Sequence, residues 1–117
     1  MENALFITNE DGVDLIVSFA IPVDEYGDVK SLTLHRTPKY EFALDEHERG
    51  VRIYFEDIPD GKDVYLKKLA IEGDTVTIKS NYGTYKVNLE NVDPGEIQKS
   101  KRILKKMNYD ARFELKI

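Results

Sequence analysis

Val13, Leu15, Val17, Phe19 and Ile21 occupy every second position, and this period of two predicts a long strand with one face inward. Ile16 and Ala20, on the opposite parity, predict partial cover on its other face. Upstream, Leu5 to Thr8 reads as a short strand. It runs into the turn Asn9-Glu10-Asp11-Gly12, with glycine where positive φ is expected. Pro22 ends the long strand, and Asp24-Glu25-Tyr26-Gly27-Asp28 reads as a loop. Ser31 to Arg36 follows with Leu32 and Leu34 inward, broken at Thr37-Pro38. Tyr40, Phe42 and Leu44 predict the next strand, and Val51, Ile53 and Phe55 another. Beyond the Pro59-Asp60-Gly61 turn, Val64 and Leu66 share one parity and Leu69 and Ile71 the other. A one-residue bulge near Lys67-Lys68 reconciles them. Val76 and Ile78, then Tyr85, Val87 and Leu89, alternate across further turns. Phe113, Leu115 and Ile117 close the sequence as a last strand.

One stretch has the other period. Ile97, Ser100, Ile103, Leu104 and Met107 fall within an arc of roughly 120° at helical spacing. Asp93 is placed as N-cap, Pro94 at the first helical position, and Glu96 where a capping box would use it. Val92 and Ile97 stand at the spacing of a hydrophobic staple. Asn108 suits a left-handed close, with Tyr109 folding back on Leu104. A helix this short is marginal alone in water, so its apolar stripe needs a partner surface. The expected architecture is therefore α+β and mostly β: an antiparallel meander of about eight to nine strands, curled toward a half-barrel and covered by one C-terminal amphipathic helix.

That order of elements resembles the pleckstrin-homology type of barrel. The resemblance is one of architecture alone, because no motif of that family is present and the strand after the helix departs from it. Residues 1–117 suit a single domain with its own core.

Composition narrows the chemistry. The absence of cysteine excludes disulfides and thiolate metal sites. No apolar run is long enough to span a membrane, and Met1-Glu2-Asn3-Ala4 does not start like a signal peptide, so a cytoplasmic setting is expected. The net charge of −5 is unevenly placed: the helix holds five basic residues against one acidic, leaving twelve against twenty-one elsewhere. An acidic body disfavours nucleic acid and suits a protein partner. Lys99, Arg102 and Lys106 share a helix face that could meet phosphate. A solvated face, with Lys105 and Lys106 complementing the helix dipole, explains it more simply.

Candidate chemistry is sparse. His35 falls on the outward parity of its strand. His47 sits in Asp45-Glu46-His47-Glu48, where consecutive residues are not expected to converge on one ion, so no metal site is assigned. Residues 24–28 offer three carboxylates but lack the alternation and terminal Glu of a calcium loop. No phosphate loop or nucleophile elbow appears, so neither an enzymatic activity nor a cofactor is assigned. The most pointed surface feature is aromatic: Tyr54 and Tyr65, facing outward as a cross-strand pair flanked by Arg52 and Lys67, match the composition of binding hot spots. The expectation is a non-enzymatic protein-binding module of the immunity, inhibitor or adaptor type, with a homodimer through the last strand also open. The alternative is a small-molecule carrier with a cavity inside the half-open barrel.

Overall fold

A computed structural model describes residues 2–23 and 27–117. Among these residues, nine strands form two sheets, and there is one α-helix, α1 (Pro94–Met107). In the four-stranded sheet, β2 (Phe6–Asp11), β3 (Leu15–Pro22), β4 (Val29–Arg36) and β5 (Arg52–Tyr54) are antiparallel neighbours. The five-stranded sheet has the order β1 (Glu2–Asn3), β8 (Thr84–Asn88), β7 (Thr75–Ser80), β6 (Leu66–Glu72), β9 (Glu114–Lys116). Its centre is antiparallel, but both outer pairs, β1 with β8 and β6 with β9, are parallel. The meander is thus correct for the middle of the chain and fails at its two ends.

The sheets do not close into a barrel, yet they are joined at two corners. At one corner Arg52 pairs with Tyr65, while Ile53 N–H donates to the Val64 carbonyl and Leu66 N–H to that of Val51, both at 2.8 Å. At the other, the N-terminal segment changes sheets. Ala4 N–H donates to Asn88 and Leu5 N–H, one residue later, to Ala20. Between the sheets lie the inward residues of the predicted alternation, among them Leu15, Val17, Phe19 and Ile21 of β3, Leu32 and Leu34 of β4, and Val76 and Ile78 of β7. The bulge falls where the parity break placed it, between Leu66 and Lys68.

The helix packs on β2 and β3 and buries Ser100, Ile103, Leu104 and Met107. Ile103, Leu104 and Met107 together contribute roughly 5–9 kcal/mol gross, at about 1.5–3 per apolar side chain. Ser100 brings the axis close to β2: its hydroxyl lies 2.9 Å from Asn9 Oδ1 and 2.8 Å from the Glu96 carbonyl. Asp93 caps the helix through Gly95 N–H at 3.1 Å. Glu96 does not reach back to the cap; its carboxylate accepts from Asn9 Nδ2 instead.

Three local expectations are corrected. Val13 is exposed in the turn, because β2 continues through Asp11 and pushes the reversal to residues 12–14; Gly12 has no positive φ there. Tyr40, Phe42 and Leu44 form no strand: residues Pro38–Ala43 are a 3₁₀ turn started by proline, with Tyr40 and Phe42 outward and Glu41 buried. Asn108 is not left-handed, and the positive φ falls on Ala111 at 56°. Tyr109 does not fold onto Leu104; it lies over the Arg36 guanidinium, 4.5 Å from ring centroid to carbon.

Candidate functional site

Arg36 continues the inward parity of Leu32 and Leu34, which carries a guanidinium into the core. Its side chain is fully buried, and all five of its N–H donors are used. Nε and one Nη2 hydrogen bond Glu41 in a fork, both at 2.8 Å. Nη1 and Nη2 form a second fork with Asp110, again at 2.8 Å, and Nη1 also donates to the Met107 carbonyl at 2.7 Å. The cation that complements the C-terminus of α1 is therefore buried Arg36, besides the exposed Lys105 and Lys106 named by the sequence.

The network extends outward. Arg112 Nε donates to Asp110 at 2.7 Å, and Arg112 Nη2 bonds the Glu46 carboxylate. One charged chain thus ties β4, the 3₁₀ turn 38–43, the end of α1, the left-handed residue Ala111 and the short 3₁₀ turn Glu46–Glu48. The Arg36 guanidinium holds the Asp110 carboxyl down at about 2. Desolvation works against the charge on Arg36, but the hydrogen bonds to Asp110 and Glu41 outweigh it and raise its pKa. With every donor occupied, this arginine is built to hold structure and has none left to bind an anion.

Pinning Glu41 inward turns its neighbours outward. Phe42 is 80% exposed and Tyr40 is 56% exposed. Tyr40 stands across a groove of about 280 Å³ from Tyr54, itself 50% exposed. On the other side of Tyr54, a shallow trough of about 620 Å³ runs along Val29, Ser31 and Thr33 to the loop around Pro59.

The four residues singled out in the sequence are only partly brought together. Tyr65 lies opposite Arg52, not Tyr54, and its ring centroid is 5.3 Å from the guanidinium carbon. Tyr54 lies opposite Thr33, with its ring 6.2 Å from that of His35. The isolated bridge sets this register, two residues away from the assumed pairing. Lys67, in the bulge, is exposed and lines a separate recess of about 380 Å³ with Tyr65 and Arg112. Missing from the expectation were Arg36, Glu41, Asp110, Tyr40 and Phe42. Arg36 carried a signal, since its parity matched that of Leu32 and Leu34.

Two polar clusters flank this face. His35 Nε2 lies 3.1 Å from Asp14 Oδ1 and 3.2 Å from Thr37 Oγ1, while Thr37 donates to the same Asp14 oxygen at 2.6 Å. Hydrogen bonds from Thr37 and His35 lower the Asp14 pKa. One ring nitrogen faces both partners, while the threonine proton is given to the carboxylate. In the 45–48 loop, a ligand atom from each of Asp45, His47 and Glu48 lies within 4.8 Å of the others. The 3₁₀ turn thus brings together groups that adjacency in the sequence was not expected to converge. All three groups lie at the surface, two of them exposed. The carboxylate loop 24–28 lies largely outside the described residues.

The basic helix face is partly neutralised: Lys106 bonds Asp11 at 2.7 Å and Lys99 lies 3.6 Å from Glu96. No helix among the described residues is long and apolar enough to cross a membrane. Compared with known proteins, the chain matches no family model, no curated protein and no solved structure.

Proposed function

We infer that the chain is a protein-binding module, and that it binds through the face formed by Tyr54, Tyr40 and Phe42. The observation that carries this reading is the outward display of Tyr40 and Phe42 on a turn held by a buried ion pair. A solitary exposed aromatic residue is ordinary on any protein surface. Tyr40 and Tyr54 line one groove together with Arg52, which is the make-up of a hot-spot cluster, and Phe42 is displayed on the same turn as Tyr40. Rigidity matters because a partner then spends little free energy ordering them. Glu48 lines the same groove and favours a partner with a basic group at its rim.

The test is site-specific photo-crosslinking in cells that produce the protein natively. A photoreactive residue replaces Phe42 or Tyr54, with Lys86 on the exposed side of β8 as control. One predominant protein adduct common to positions 42 and 54, and missing at 86, supports the reading. Adducts equally frequent at all three positions, or none at 42 and 54, would remove it.

A further inference from the structure

The groove between Tyr40 and Tyr54 restricts what a partner can place there. Its volume of about 280 Å³ is small for the i, i+3, i+4 and i+7 anchors of an amphipathic helix. Strand addition has no edge to use. β5 is paired with β4 on one side, and on the other Ile53 N–H donates to Val64 and Leu66 N–H to Val51. An anionic motif would meet Glu48 in the groove, while Arg36 has no donor left and Arg52 already lies 3.7 Å from Asp63. What the groove presents instead is two half-exposed tyrosine rings, with the part-buried Leu44 in its lining.

Each ring carries a hydrogen-bond donor. Tyr65 gives its phenolic proton to the Glu48 carbonyl, but Tyr40 and Tyr54 give theirs to no acceptor among the described residues. A polyproline II segment is the complementary object. Its prolyl rings form an apolar ridge, and its carbonyls are free to accept because the helix has no internal hydrogen bonds. Its φ is fixed before binding, so little further order is lost against a turn that is itself held by a buried ion pair. Charge adds a direction. Carboxylate oxygens of Glu48 and Asp45 lie within 4.8 Å of each other and of a His47 ring nitrogen. Neither carboxylate is paired with a lysine or arginine among the described residues, so a cation beside them gains from both.

We propose that the groove binds a proline-rich segment in the polyproline II conformation, with Tyr40 and Tyr54 donating to its carbonyls and an arginine or lysine at one end meeting Glu48 and Asp45. This rests on the reading of the aromatic face as the binding face, and it names the chemistry of the partner there.

The probe is a peptide of one arginine followed by six prolines, capped at both ends, titrated into the protein and followed by amide NMR shifts. The expected result is saturable binding with Kd on the order of 0.1–1 mM, with shifts concentrated in residues 38–54. Tyr40→Ala and Tyr54→Ala should each weaken it by at least about tenfold, and Glu48→Gln by about 2–5-fold. Tyr40→Phe combined with Tyr54→Phe keeps the rings and removes only the donors, and should weaken binding by about 3–10-fold. A peptide with alanine in place of every proline should bind at least about tenfold more weakly. Absence of saturation, shifts centred elsewhere, equal affinity for the alanine peptide, or unchanged affinity in the tyrosine variants would overturn the proposal. The two readings fail separately. A partner crosslinked at positions 42 and 54 through a segment without proline removes this proposal and leaves the face, whereas loss of those adducts removes the face itself.

Discussion

Arg36 is the residue on which the most contacts of different origin converge. A buried cation is expensive, and its attraction to one carboxylate seldom repays the desolvation. Two forked carboxylates, a helix-terminal carbonyl and the Tyr109 ring change that balance by leaving no donor unsatisfied. Asp110 makes the arrangement sensitive to acid. Its folded pKa of about 2 lies below the ordinary value of 3.8, so its contribution is present in full above about pH 4 and is lost as pH falls toward 2. Asp110→Asn should therefore lower stability at pH 6 by on the order of 1–2 kcal/mol and much less near pH 2. Urea midpoints of both proteins across that range test this; a constant difference at every pH would refute it. The inward place of Arg36 could be read from its parity with Leu32 and Leu34. Its partners could not, because Asp110 lies 74 positions away, and pairing at that distance leaves no local pattern.

Elements with one dominant period were legible, and those made by distant pairing were not. The stripe of α1 and the alternation of β3, β4 and β7 each state which face is buried. In the 38–44 segment, alternation pointed the wrong way. Pro38 starts a 3₁₀ turn, and the Arg36–Glu41 pair outweighs the burial that Tyr40 and Phe42 would have gained in a strand. The parallel edges were invisible for another reason: β1 has two described residues and β9 three, too few for any periodicity. β9 lies at the sheet edge, short and bearing Glu114 and Lys116, features that discourage further strand addition. This contrast between elements sets a pair of expected stabilities. Phe42→Ser, at a solvated position, should change unfolding free energy by no more than about 0.5 kcal/mol. Leu104→Ala, fully buried under the helix, should cost about 2–5 kcal/mol. Denaturant titration distinguishes the two, and a large loss in Phe42→Ser would mean that its ring is not free.

For the molecule as a whole, the half-barrel expectation captured a curled, mostly antiparallel β structure beneath one helix. It missed the division into two sheets stitched at two corners. The charged network joins the end of β4, the 3₁₀ turn 38–43 and the segment after α1. The aromatic face thus depends on a buried polar anchor and on little apolar burial of its own. Hydrogen–deuterium exchange tests that dependence most directly, comparing the wild type with Glu41→Gln. The Leu44 amide, bonded to the Glu41 carbonyl, and the Tyr40 amide, bonded to that of Thr37, report on the turn. We predict that Glu41→Gln speeds exchange in residues 38–48 by at least about tenfold while the core amides of β3 and α1 keep their protection. Equal protection of residues 38–48 in both proteins would contradict the account.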